Sequence, residues 1–166
     1  MTAAAEIAVR MGEIAASKTA GDVLVSLGLG SCIGLALVDQ RRGIAGLAHI
    51  MLPEAIGGGG PIGKFADLAV PELVAQVTAL GTSTTVLKAV VVGGAQMFSL
   101  GGTGALDIGV RNDEAVRAAL AEDRIPVVAA QTGGSKGRTI RVIPGGAVLS
   151  KEAGCAEIVL MQGVRA

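Results

Sequence analysis

The 166-residue sequence predicts an α+β fold in a single domain. Three observations point there. Short apolar, β-branched runs outnumber the segments with helical spacing. Several neighbouring runs are joined by tight glycine turns, as antiparallel strands are, rather than by the long crossovers of a regular βαβ alternation. A chain of this length buries about 70% of its unfolded surface on folding, and an apolar content of 51% is ample for that core.

Taken in order, Glu6 to Met11 alternates, with Ile7, Val9 and Met11 on one side, and predicts a half-buried first strand. Val23 to Leu27 and Ile33 to Val38 are apolar runs around the glycines Gly28 and Gly30, which reads as strand, tight turn, strand. Arg41, Arg42 and Gly43 mark the next turn, and Ile44 to Leu52 is a further apolar run. Pro53 and Gly57 to Gly60 predict a loop. Phe65, Leu68, Leu73, Val74, Val77 and Leu80 recur at helical spacing, with Gly81 as a C-terminal cap. Pro71 fits poorly in a helix interior, so the helix is expected to start close to it or to bend there. Val86 to Val92 predicts a buried strand, followed by the loop GGAQMFSLGGTG. A second helix is expected over Val110 to Glu122, with Asn112 as a candidate cap and Val116 and Leu120 facing inward. Ile125 to Ala130 predicts a strand. Arg138 to Ile143 and Ala147 to Leu149 predict a hairpin through Pro144, Gly145 and Gly146, and Glu157 to Met161 a last strand. No long repeat or linker divides the chain.

Composition excludes several function classes. Two Phe and no Tyr or Trp leave few platforms for base stacking, and 14 basic residues balance 14 acidic ones without a basic patch, so no nucleic-acid partner is expected. Mean hydropathy is high at +0.61, but the apolar stretch Val23 to Val38 is shorter than the ~20 residues a spanning helix needs and is interrupted by glycines. Two buried strands explain it, and no membrane insertion is expected. The N-terminal residues lack a basic segment followed by an apolar one, so a cytoplasmic, reducing location with two free thiols is expected. One histidine and two cysteines cannot form a four-ligand Cys/His zinc site, and no Asp/Glu cluster stands out, so neither metal nor cofactor is expected. Gly28, Gly30 and Gly34 miss the dinucleotide spacing by one position, and a strand-like run rather than a helix follows them. Lys136 precedes Gly137 where a phosphate loop would have it follow.

What remains is Cys32 in SLGLGSC and the solitary His49 in AGLAHIMLP. A thiol and an imidazole suffice for thiolate chemistry: the base takes the proton, the sulfur attacks a carbonyl carbon, and the imidazolium protonates the leaving group. An adjacent imidazolium is expected to help hold the sulfur as thiolate near neutral pH. Backbone N–H groups of Gly30 and Ser31 are candidates for an oxyanion hole. The Ser26 hydroxyl is a candidate acceptor for the proton on the other ring nitrogen of His49. From the pattern alone, an inert core cysteine and a structurally satisfied histidine remain open readings. Cys155, in KEAGCAEIVL, has neither a glycine turn nor a hydroxyl partner beside it and reads as packing.

Six segments in order, SLGLGSCIGLALVD, GIAGLAHIMLPE, KFADLAVPELV, VVGGAQMF, DIGVRNDEAV and TGGSKGR, resemble the chemoreceptor glutamine deamidase family, CheD. The resemblance spans roughly Ile7 to Leu149. It implies a compact α+β domain of stacked mixed or antiparallel sheets with flanking helices, similar to toxin-type cysteine deamidases. It also implies hydrolysis of glutamine side chains on methyl-accepting chemotaxis receptors to glutamate and ammonia, without a cofactor, and association with a CheC-type phosphatase where one is present. By position the nucleophile falls on Cys32, the base on His49 and the third member, usually Thr, on Ser26. Serine keeps the hydroxyl but lacks the methyl group that restricts rotamers. Gln131 stands where family members often carry an acid. A receptor- and phosphatase-binding adaptor, or a cysteine hydrolase of another amide or ester, are the alternative readings.

Overall fold

The computed structural model describes residues 4–55, 59–96 and 107–163. Ten strands are β1 (Glu6–Ala8), β2 (Ile14–Ser17), β3 (Val23–Leu29), β4 (Ile33–Asp39), β5 (Ile44–Ile50), β6 (Lys88–Gly93), β7 (Val127–Thr132), β8 (Arg138–Val142), β9 (Val148–Glu152) and β10 (Ile158–Met161). The helices are α1 (Ala66–Ala79) and α2 (Ile108–Glu122), and a 3-10 turn spans Ile62–Lys64. One sheet has the order β1-β3-β8-β9-β10 and the other β2-β5-β4-β6-β7. The pairs β1/β3 and β6/β7 are parallel and the rest antiparallel, so both sheets are mixed, as the α+β reading requires. Among the described residues no helix is long and apolar enough to cross a membrane.

Three layers follow from which residues are apolar on which face. Ile33, Leu35 and Leu37 of β4 and Ile44, Ala48 and Ile50 of β5 pack with α1 and α2. Ala36, Val38, Ala45 and Leu47, on the opposite faces of the same strands, pack against Leu24, Ile140, Val142 and Val148 of the first sheet. All seven residues of β4 are buried. That is why IGLALVD shows no alternation: a central strand covered on both sides has no solvent face to make polar. Close approach of the layers needs small residues. A Cβ on Gly34 would lie 2.8 Å from both Leu29 and Ile140, and one on Gly46 would lie 2.6 Å from Val77 of α1.

Several boundaries differ from the sequence expectation. The first strand ends at Ala8, and Met11 is exposed because the chain turns at Gly12, whose φ is +79°. The next segment, β2, crosses to the other sheet; two alanines and one isoleucine give it too little apolar signal to read as a strand. Helix α1 starts five residues before Pro71, which is exposed in its second turn, and continues beyond it to Ala79. Strand β7 begins at Val127, because Ile125 still belongs to the end of α2: its N–H bonds to the Leu120 carbonyl and its side chain packs with the helices. The hairpin through Pro144 to Gly146 is present as expected. Residues 57–58 of the glycine loop and 97–104 of the GGAQMFSLGGTG stretch lie outside the described residues.

Leu35 is fully buried, so Leu35→Ala is expected to destabilise by about 2–5 kcal/mol, read from denaturant unfolding. Leu27, 65% exposed, should tolerate alanine within about 0.5 kcal/mol.

Candidate active site

The register of β4 against β5 brings Cys32 and His49 together. Ile33 pairs with Ile50 and Gly34 with His49. Residues two apart in a strand share a face, so Cys32, one position before β4, continues the face of Gly34 and Ala36. That makes it the diagonal cross-strand neighbour of His49, roughly 7–8 Å away at the backbone. The face is the inter-sheet one, and Cys32 packs on the inter-sheet cluster. Ser26 of β3 approaches the same layer from the other sheet, opposite Ile140 of β8. His49 and Ser26 are buried, whereas Gly30, Ser31 and Cys32 are half-buried and border the exposed Leu27 and Gly28. Cys32 is therefore half-buried and on the inter-sheet face that His49 also occupies.

The partner of the imidazole differs from the expectation. His49 Nδ1 lies 3.1 Å from the backbone oxygen of Val9. A carbonyl can only accept, so Nδ1 carries the proton and Nε2 holds a free lone pair. Ser26 Oγ donates to the same oxygen at 2.8 Å. The hydroxyl thus reaches the imidazole through the Val9 carbonyl instead of accepting its proton directly. Val9 is itself anchored, its N–H bonded to the Val25 carbonyl at 2.7 Å. The His49 backbone is held on both sides, its N–H by Glu13 and its carbonyl by Gly12.

Burial sets the protonation states. It pulls the His49 pKa below its ordinary value, against the Val9 hydrogen bond and the Glu13 charge, which pull upward. It pushes the Cys32 thiol up, against its own backbone N–H, which pulls downward. Both shifts favour the uncharged form. Desolvation thus biases both groups away from the thiolate–imidazolium pair that the sequence suggested.

The turn before Cys32 is held by its carbonyls. Ala95 N–H bonds to the Gly30 carbonyl at 2.8 Å and Gly94 N–H to the Cys32 carbonyl at 3.0 Å. Asn112 Nδ2 donates to the Ser31 carbonyl at 2.9 Å. Among the described residues no backbone acceptor takes the N–H groups of Gly30 or Ser31. Gly93, with φ +114°, runs so close that a Cβ there would meet the Cys32 carbonyl at 2.1 Å. Asn112 is not a helix cap. It sits inside α2, fully buried, on the face it shares with Val116 and Leu120. A polar residue at that inward spacing was the signal available in the sequence. Val9 contributes only a backbone group, which no side-chain pattern announces.

The TGGSKGR block is structural. Arg138 is buried and donates to the Gly133 carbonyl at 2.7 Å, to the Gly93 carbonyl at 3.2 Å and to Glu152 at 3.1 Å, clamping β8, β9 and the end of β6. Gln131 accepts a hydrogen bond from Ser150, joining β7 to β9. Cys155 is exposed on a turn, so the expectation that it packs in the core is incorrect: the chain leaves the sheet at Glu152 before reaching it.

Residues 51–152 match the family model CheD, described as chemotactic sensory transduction. The chain is 44% identical to a probable chemoreceptor glutamine deamidase CheD of Symbiobacterium thermophilum, over 90% of this chain and 94% of that one. A probable chemoreceptor glutamine deamidase of Clostridium kluyveri is 45% identical over 76% of this chain and 82% of its own. One of Geobacillus kaustophilus is 44% identical over 84% of this chain and 87% of its own. The family-model match begins at Met51, beyond Cys32 and His49.

Because folding lowers the His49 pKa, its contribution to stability is present above the ordinary histidine value of about 6.5 and is lost as pH falls through the lower folded value. Denaturant midpoints of the parent are expected to drop on acidification through this window, and His49→Gln should lack that component.

Proposed function

We propose, because this chain belongs to the CheD family, that it is a chemoreceptor glutamine deamidase, hydrolysing receptor glutamine side chains to glutamate and ammonia with Cys32 as nucleophile. One observation carries the assignment of roles. The Nδ1–H of His49 is committed to the Val9 carbonyl, which leaves Nε2 basic on the face that Cys32 shares.

The reaction runs in two halves. As Sγ attacks the carboxamide carbon, its proton passes to Nε2, and the new imidazolium keeps its Nδ1–H on Val9. The carbonyl oxygen becomes an oxyanion, stabilised by N–H groups of the Gly30–Cys32 turn. Nε2–H then protonates the departing nitrogen, ammonia leaves, and a thioester remains on Cys32. Water loses a proton to Nε2 and attacks the thioester, and collapse releases glutamate and the thiol. No step calls for a metal or cofactor.

The bias of both groups toward their uncharged forms fits a reaction that begins with proton transfer. A sulfur that is protonated until substrate arrives is also less exposed to oxidation. The partners this reading implies are methyl-accepting chemotaxis receptors, with a CheC-type phosphatase as a further associate, and the setting is the cytoplasm.

Incubating a receptor cytoplasmic fragment with the protein should convert specific glutamines to glutamates, each adding about one mass unit, with ammonia released in equal amount. Cys32→Ala should abolish both while retaining receptor binding, and His49→Gln should lower kcat by about 10²–10⁴-fold. Unchanged turnover in Cys32→Ala would refute the assignment.

A further inference from the structure

Asn112 is a buried polar side chain, hydrogen-bonded to the residue before Cys32, that the two-step mechanism leaves unused. Its Nδ2 donates to the carbonyls of Ser31 and Met51, both at 2.9 Å. Two carbonyls can be served only by the amide nitrogen, with its two N–H groups, so the orientation of the side chain is determined. Its Oδ1 is buried and lacks a partner among the described residues. An aliphatic side chain would fill this inward position of α2 without that penalty. The amide has to be justified by what it holds.

Of the two peptide planes it holds, the one next to the sulfur is Ser31–Cys32. In a planar trans peptide the C=O and the N–H point in opposite directions. Fixing the Ser31 carbonyl toward α2 therefore aims the Cys32 N–H away from the helix, toward the sulfur and the space a bound carboxamide would occupy. That N–H pulls the thiol pKa downward, as a donor near the sulfur does. The neighbouring planes are fixed by backbone donors: Gly30 by Ala95 and Cys32 by Gly94. Only the Ser31–Cys32 plane depends on a side chain from another layer. The Cys32–His49 pairing does not need Asn112, because the β4/β5 ladder and the Gly94 bond already secure it.

We infer that Asn112 is a positioning residue for the oxyanion hole: it orients the Cys32 N–H for the tetrahedral intermediate while leaving activation of the thiol to His49. The inference rests on the deamidase reading above and adds to it the residue that sets the geometry of the acyl-transfer step.

The test separates acyl transfer, which builds an oxyanion, from alkylation, which does not. All proteins carry Cys155→Ser, since that thiol is exposed. Asn112→Ala and Asn112→Ser, the latter keeping one hydroxyl donor, are compared with this parent in three assays. These are deamidation of a receptor cytoplasmic fragment, acylation of Cys32 by p-nitrophenyl acetate, and alkylation of Cys32 by iodoacetamide across pH, with thermal unfolding followed alongside. Asn112→Ala is expected to lower kcat for deamidation by about 10²-fold and to slow acylation, with KM and the alkylation profile little changed. Asn112→Ser should fall between. If Asn112→Ala does not fold, the same split in Asn112→Ser carries the proposal. Alkylation falling in parallel with kcat, kcat within about threefold of the parent, or failure of both variants to fold would each overturn it. A parent that does not deamidate receptor, but whose acylation is slowed by Asn112→Ala, would refute the receptor as substrate and still support the role of Asn112.

Discussion

The site depends on one backbone oxygen. The Val9 carbonyl accepts from His49 Nδ1 and from Ser26 Oγ, and it is one of the points at which the two sheets meet chemically. Val9 follows the edge strand β1 of one sheet, while His49 lies on β5 of the other. A carbonyl dipole is a fixed acceptor with no rotamer to lose, and burial keeps water from competing for it. It decides which ring nitrogen carries the proton. The fully buried Ser26 hydroxyl is held by its own hydrogen bond to Val9.

The layered packing gives that oxygen its effect. Small residues, Gly34 and Ala36, let the two sheets approach closely beside Cys32 and His49, and Gly93 lets β6 run against the Cys32 carbonyl. The same closeness desolvates both titratable groups and disfavours their charged forms. A neutral imidazole is the form that can receive a proton. Cys32 differs in being half-buried beside a glycine turn.

Much of this was legible in the sequence, and the gaps have physical causes. The long apolar strands β4 and β5 were plain because a strand buried on both faces is apolar throughout. Short β2 was missed because alanine carries little β signal and its identity as a strand comes from pairing with β5. Cys32, His49 and Ser26 were identifiable as residues, but their connection was not. The link between Ser26 and His49 passes through a backbone atom, and backbone atoms look the same at every position. Asn112 was visible as a polar residue yet was assigned to a cap, since its inward spacing with Val116 and Leu120 has meaning only once α2 is seen to begin at Ile108. The bias of His49 and Cys32 toward their uncharged forms could not be read at all, because desolvation is a property of the assembled layers.

The protein's single histidine allows a direct test of the tautomer. A long-range proton–nitrogen correlation spectrum of the uniformly 15N-labelled protein near neutral pH would show one imidazole. The account predicts a protonated, pyrrole-type Nδ1 and an unprotonated, pyridine-type Nε2. The reverse tautomer, or an imidazolium with both nitrogens protonated at that pH, would contradict it.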